Sequence, residues 1–541
     1  MGKSYDYIVV GAGSAGAVIA ARLSEDAGVS VLLLEAGGRD RHPFQLMPLA
    51  FQSVARSKPF IWEFESEPEP GLGGRRLPIR RGRTLGGSSS INALIASRGN
   101  RVDYDLWRQQ GLTGWGYADV LPYFRRLENS WRGASEFHGV GGPIQLSPEE
   151  LPEMLFEPVR QAAEAAGIPY CDDPAGPSQE GISRVEATTG GGERSSTARG
   201  YLYPAMARPN LRIETRALTT RIVIERGRAV GVEYAKGRDL HRVNAACEVI
   251  LSGGSLNSPQ VLMLSGVGPA DHLKAVGIAP LHDLKGVGRN LCEHPNFIMQ
   301  FGTKERAGLT KFLRIDRATI AVAQWFLTRG GPFASNGATA NVFLRTRDGL
   351  DRPDVQFIVM PVSNHARLWA PGLTAPPVYC FNIRSGALHP ESRGWVKLCS
   401  ADPADPPRIQ FNLLTAQADL DTMLRGVRRC REMFGQEPLR GIIEGELAPG
   451  AAVQSDAELA EAIRREAGHR SHPAGTCRMG TGADAVVDAD LHVRGIDGLR
   501  VADASVMPEL TSGNTNLPVI MIGEKAADLI RGRKVSQPAR A

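Results

Sequence analysis

Gly11-Ala12-Gly13-Ser14-Ala15-Gly16 sets three glycines at the spacing that cradles a dinucleotide pyrophosphate. The first glycine permits a tight turn, the second lets backbone N–H groups reach the phosphates, and the third lets a helix pack on a strand. Glu35 follows about 20 residues on, where a carboxylate accepts both ribose hydroxyls and repels a phosphorylated ribose. Ser14, Ala15, Ala36 and Thr219 are assigned with these residues to the cofactor. Such a fingerprint serves NAD and FAD alike, so the remaining chain must choose between them. The chain also holds eleven histidines, the side chain best suited to take a proton at neutral pH. Residue type alone singles out none of them. His469 and His472 have the His-x-x-His spacing of a metal pair, one helical turn apart, but no further ligand cluster accompanies them.

The elements around the fingerprint suit its role. Residues 5–10 read as a buried strand, Ser14 to Leu23 as a helix of small residues, and Val29 to Glu35 as a second apolar strand, which together make a βαβ unit. Parallel strands joined by helices bind ligands at their carboxyl ends. A second glycine-punctuated block spans Arg81 to Asn92, and the alternation within 221–232 predicts a hairpin turning at Gly227. From about 295 to 465 the texture changes to prolines, isolated aromatics and short strands such as 355–359, which predicts an antiparallel sheet with helices for substrate binding. Glycine-rich, strand-then-helix character returns from about 466. The expected fold class is therefore α/β, with a Rossmann-like cofactor domain and a second α+β domain on an antiparallel sheet.

The block Gly82-Arg83-Thr84-Leu85-Gly86-Gly87-Ser88-Ser89-Ser90-Ile91-Asn92 resembles the first signature of the glucose–methanol–choline oxidoreductases, and residues 254–268 resemble their second. The similarity covers essentially the whole chain, through Gly286 to Leu291, His472 to Gly480, Val501 to Ser505 and Asn514 to Pro518. It implies FAD, held by residues 1–150, 205–294 and 466–541, with 151–204 and 295–465 forming the substrate domain. It further implies that Arg83, Gly86, Gly87, Ser88 and Asn92 contact the cofactor, as do Asp503, Ala504, Asn516 and Leu517. Relatives that tether the flavin do so through a histidine where this chain has Ile91, so the expected FAD is non-covalent. His472 matches the family's catalytic histidine and Asn514 its partner, with His469 as the rival base. The implied reaction is oxidation of a small primary alcohol to an aldehyde, with oxygen or a quinone-like acceptor taking the electrons. A cyanohydrin lyase of the same family is the alternative, and a non-catalytic flavoprotein would lack a base facing the flavin. The resemblance extends to short bacterial enzymes acting on choline, sorbose and furan methanols, and a choline site would need an anionic or aromatic cage, for which Trp62, Phe64 and Trp369 are candidates.

Composition excludes several other classes. The 541 residues are 42% hydrophobic and 22% charged, as in ordinary globular proteins. A net charge of +5 is too small for this length to argue for nucleic acid or an anionic membrane. Seven scattered cysteines without a Cys-x-x-Cys pair fit a reducing cytoplasm. No apolar stretch reaches the roughly 18 residues of an integral membrane helix.

Overall fold

The computed structural model describes residues 4–304, 307–363 and 366–533. Its first sheet starts with β1 (Ser4–Val10), α1 (Gly16–Leu23) and β2 (Val31–Glu35). Ile8, Val9, Leu32 and Leu33 are buried to within 1% of completely, as expected of strands covered on both faces. Leu211–Thr215 pairs in parallel with β2, β2 with β1, and β1 with Asp239–Leu251. The hairpin Leu218–Glu225 and Arg228–Lys236 then adds antiparallel strands, and Leu499–Val501 pairs in parallel with the end of Asp239–Leu251. The hairpin turns at Arg226 and Gly227, both at positive φ.

This topology brings four chain segments together at the carboxyl ends of parallel strands. They are Gly11 after β1, Ala36 after β2, Ser252 to Gly254 after the long strand, and Ala502 and Asp503 after Leu499–Val501. Gly11 has φ +96°, and a Cβ there would lie 2.4 Å from the Ser252 carbonyl oxygen, so neither the turn nor the close approach tolerates a side chain. The final helix, Asn516–Ile530, lies against the start of α1, with its Gly523 on Ala15.

A second, antiparallel sheet runs in the order Ile443–Ala448, Pro295–Thr303, Cys380–Ala387, Val355–Met360, Ala340–Leu344, Gly181–Arg184. Gly468–His469 pairs with Pro295 and Asn296 at one end. Because side chains alternate between faces, register divides this sheet sharply. Phe297, Met299, Phe301, Phe381, Ile383, Phe357 and Val359 share one face, in a core with Leu420, Met423 and Val427 of the helix Gln417–Phe434. The opposite face carries Asn296, Ile298, Gln300, Asn341, Gln356, Asn382 and Arg384, a polar surface that borders the site. Among the described residues no helix is long and apolar enough to cross a membrane.

Candidate active site

A cavity of about 740 Å³ runs from the glycine fingerprint to His472 and Asn514, within the range of about 300–1,000 Å³ that holds cofactors and drug-sized ligands. Gly11, Gly13, Ser14, Ala15, Glu35, Ala36, Gly87, Ser88, Asn92, Thr219, Asp503, Ala504, Asn514 and Asn516 all border it. A Cβ on Gly13 would meet nothing within 4 Å, whereas one on Gly16 would strike the Gly11 carbonyl, so the two glycines serve different needs. α1 and the helix Asn516–Ile530 both begin at the cavity without a side-chain cap. Their first N–H groups and positive dipole ends suit the anionic parts of a dinucleotide. Glu35 accepts hydrogen bonds from Ala12 N at 3.0 Å and Gly37 N at 2.8 Å, and burial pushes it up to about 7. Each carboxylate oxygen keeps a second lone pair for a ribose hydroxyl. The Thr219 hydroxyl is buried and lacks a hydrogen-bond partner, which a ligand in the cavity can supply. These features fit a long, doubly anionic cofactor.

Other assigned residues serve the cradle from behind. Asp503 accepts from Gly254 N at 2.8 Å, Ser258 Oγ at 2.6 Å and Ser505 N at 2.7 Å, which locks two strand ends together. Asn516 Oδ1 accepts from Ser14 Oγ at 2.8 Å, tying the last helix to the fingerprint. Asn92 Oδ1 is held by Arg194 Nη1 at 2.7 Å and Leu94 N at 3.1 Å. Gly16, Gly86, Leu517 and Arg83 are not among the residues bordering the cavity; Arg83 lies over the Trp62 ring at 4.3 Å. Ile91 borders the cavity and packs with Val54 and Ile61.

At the far end, His472 Nδ1 lies 2.9 Å from His294 Nδ1, and His294 Nε2 lies 3.0 Å from the Leu388 carbonyl oxygen. A carbonyl only accepts, so His294 carries its proton on Nε2. Its Nδ1 is then an acceptor, and His472 must donate from Nδ1. This leaves the His472 Nε2 lone pair at the cavity, 3.2 Å from Asn514 Nδ2. Burial, followed by His294 and Arg470, holds His472 well below its usual 6.5, and burial drives His294 down to about 3. Both rings are therefore neutral at pH 7. Glu293 receives the His472 backbone N–H at 2.9 Å on each oxygen and is raised by burial to about 8. Gln356 donates to Asn514 Oδ1 at 3.4 Å and also accepts from Arg470 Nη1.

His469 is arranged differently from its neighbour. No helix joins it to His472; it lies on a short strand pairing, and Ser471 follows at positive φ. Its Nε2 meets the Pro78 carbonyl oxygen at 3.0 Å, its Nδ1 accepts from Ser471 N at 3.0 Å, and its ring stacks on Phe411. With both nitrogens engaged it offers no free lone pair for a substrate. Among the described residues, no group of three or more His, Cys, Asp or Glu could hold a metal. The partners His294, Glu293, Gln356, Arg470 and Arg194 were not foreseen in the sequence. His294 stands only three residues past the motif that ends at Leu291, and that proximity was the available signal.

A parallel sheet carrying a dinucleotide cradle, faced by an antiparallel sheet with a neutral buried histidine, defines a nucleotide-cofactor oxidoreductase. Family models described as GMC oxidoreductase match residues 5–296 and 390–523. The chain is 43% identical over 531 residues to an oxygen-dependent choline dehydrogenase of Rhizobium johnstonii, covering 98% of this chain and 96% of that protein. It is 42% identical over 534 residues to the corresponding enzyme of Brucella ovis, with the same coverage. Among solved structures, pyridoxine 4-oxidase from Mesorbium loti aligns with TM-score 0.86 and 29% identity over 97% of this chain and 98% of that one. A formate oxidase variant of Aspergillus oryzae aligns with TM-score 0.92 and 28% identity over 98% of each chain. The chain belongs to the glucose–methanol–choline oxidoreductases and is an FAD-dependent alcohol oxidoreductase.

Proposed function

We propose that the site oxidises a primary alcohol to an aldehyde, with His472 as general base and Asn514 as the hydrogen-bond donor to the substrate oxygen. The carrying observation is the chain of hydrogen bonds from Leu388 O through His294 to His472, which leaves His472 Nε2 as an acceptor at the cavity, where the Asn514 amide donates to it. Nε2 takes the hydroxyl proton while Asn514 Nδ2 donates to the alkoxide. Bound FAD supplies the two-electron acceptor for the hydride that leaves the carbinol carbon. The uncapped N terminus at Asn516 places a positive dipole end beside the cavity, where it stabilises negative charge. In this reading residues 1–150, 205–294 and 466–541 hold the cofactor, and 151–204 with 295–465 face the substrate. Oxygen or a quinone-like acceptor then completes turnover. The relatives named above are oxidases and dehydrogenases, which favours redox chemistry over the lyase alternative.

Rapid-mixing measurement of flavin bleaching by alcohol without oxygen tests the assignment. His472→Ala should slow it by about 10²–10⁴ and Asn514→Ala by about 10²–10³, with FAD still bound in both. If His472→Ala kept its rate while His469→Ala lost it, the base would be His469. If neither substitution mattered for an alcohol that bleaches the parent, this mechanism would be wrong.

A further inference from the structure

The chain leading to Asn514 is held firmly, which leaves its amide as the part still to be oriented. Two residues earlier, Ser512 donates from N and Oγ to the buried Asp103 carboxylate at 2.6 and 2.8 Å, and its carbonyl accepts from Gln179 Nε2 at 2.9 Å. Gly513 has φ +125°, and a Cβ there would lie 2.4 Å from Ser97 Oγ. The last torsion of an asparagine side chain is broad and nearly two-fold, so its oxygen and nitrogen can exchange places. Which of them faces His472 decides whether the side chain donates or accepts there.

A chain of hydrogen bonds from Arg470 settles that choice. A guanidinium carries donors only. Arg470 Nη1 donates to Gln356 Oε1, and Nη2 to the backbone carbonyls of Gln356 at 2.8 Å and Arg384 at 2.6 Å. The guanidinium has room beside Gln356 because the residue opposite in the register is Gly386, where a Cβ would lie 2.6 Å from Arg470 Nε. Gln356 is completely buried, and turning its amide over would set NH2 against the arginine donors. Its Nε2 therefore points the other way, to Asn341 Oδ1 at 2.9 Å and Asn514 Oδ1 at 3.4 Å, so that its two hydrogens meet two acceptors. With its oxygen turned to Gln356, Asn514 presents Nδ2 to His472 Nε2 at 3.2 Å.

We propose that Gln356 is a positioning residue for the oxidation, keeping the Asn514 amide turned so that Nδ2 donates to the substrate oxygen. This rests on the roles given above to His472 and Asn514. The restraint matters most after proton transfer. Before it, His472 Nε2 is an acceptor and itself favours the Asn514 NH2. Once Nε2 carries the proton it is a donor, which pairs better with Asn514 Oδ1, and an unrestrained amide would turn over and set its oxygen against the alkoxide. Gln356, pinned by Arg470, holds Oδ1 and opposes that turn.

The test is Gln356→Glu, a replacement of nearly the same shape that keeps an oxygen for Arg470 but offers Asn514 an acceptor in place of a donor. Anaerobic rapid mixing uses an alcohol that bleaches the parent flavin, taken from choline, benzyl alcohol and 1-butanol. Its concentration dependence gives the limiting bleaching rate and the alcohol's dissociation constant separately, and FAD content and Tm are recorded for each protein. Gln356→Glu should lower the limiting rate about 10²-fold, towards the loss expected for Asn514→Ala, with the dissociation constant nearly unchanged. Gln356→Met, which removes the restraint without opposing it, should lower the rate about 2- to 10-fold, the worth of one neutral hydrogen bond. In an Asn514→Ala background neither substitution should slow the enzyme further, whereas a loss caused by general loosening of the site would persist there. Gln356→Glu at the parent rate overturns the proposal, as does Gln356→Met at the parent rate if the glutamate variant does not hold FAD. So does a loss that is equally large when Asn514 is absent. If Asn514→Ala itself bleaches at the parent rate, the donor role of Asn514 fails and the orienting role with it; a slow Asn514→Ala beside a fast Gln356→Glu overturns the orienting role alone.

Discussion

Replacing His294 with alanine separates His472, the proposed base, from the group that sets its tautomer. In the parent the two Nδ1 atoms are 2.9 Å apart and both rings are buried. A neutral hydrogen bond of this kind contributes about 0.5–1.5 kcal/mol net, and a buried N–H left without a partner costs about 1–3 kcal/mol. Without His294 the His472 proton gains nothing by staying on Nδ1, and the competing Nε2–H form directs a proton, not a lone pair, at the alcohol. At tenfold per 1.36 kcal/mol, a penalty of about 1–2 kcal/mol slows flavin bleaching roughly 5- to 30-fold. That is well short of the about 10²–10⁴ assigned to the base itself. His294→Gln should recover much of the rate, because an amide oxygen can accept from Nδ1–H. The assay is anaerobic rapid mixing at saturating alcohol, with FAD content measured in each variant. An unchanged rate in His294→Ala would show that the tautomer is fixed by something else. A loss as large as that of His472→Ala would make His294 a direct participant in proton transfer.

Three further expectations follow from other parts of the molecule. Because burial, His294 and Arg470 hold His472 well below 6.5, flavin bleaching should be flat across neutral and mildly alkaline pH and fall only in acid. A rising limb at or above the ordinary histidine value, followed by rapid mixing, would contradict that environment. Ile91 cannot bond covalently to a flavin, so acid precipitation should leave free FAD in the supernatant; yellow colour retained on the washed precipitate would disprove non-covalent binding. His138 is buried between Glu128 at 3.1 Å and Asp173 at 3.0 Å, and although burial alone would lower it, these partners raise it from 6.5 to about 9. Its stabilisation is complete below pH 6.5 and is lost as pH rises through about 9. The Tm difference between the parent and His138→Gln should therefore be largest in acid and close in alkali, and a difference independent of pH would refute the ion-paired role.

The cofactor half was legible because its demands are local. A fingerprint of three glycines, a strand on each side and a carboxylate at the next strand end are all read along one stretch of chain, and β1, α1, β2 and the Gly227 hairpin stand where periodicity put them. The long strand Asp239–Leu251 was missed because its first half is polar, with exposed Asp239, Leu240 and Arg242. That half pairs with the hairpin, while only the second half enters the buried parallel sheet. The surroundings of the base were less visible for a different reason. Gln356 lies on a strand, whereas His294 and Arg470 stand just outside Pro295–Thr303 and Gly468–His469, and only the pairing of these distant strands brings the three together. Alternation in the sequence shows that two faces exist, but not which distant residues share one.

The placement of a neutral histidine among cations resolves an apparent conflict in the chemistry. Arg81 and Arg470 make His472 less basic, since each disfavours the imidazolium that the proposed proton transfer would create. The same charges favour the alkoxide formed in that step, so the cost to one partner is offset by a gain to the other. The balance then depends on where the negative charge goes next. In the proposed reaction, hydride transfer would carry it away from the substrate oxygen, and the uncapped helix start at Asn516 would stabilise negative charge on a flavin held in the cavity. Arg470 is fixed by Gln356 and by the Arg384 carbonyl, and Arg81 Nη1 by the Ser471 carbonyl at 2.8 Å. Neither cation has to reorganise as the charge shifts, which is the condition under which buried charges assist a reaction instead of trapping its first intermediate.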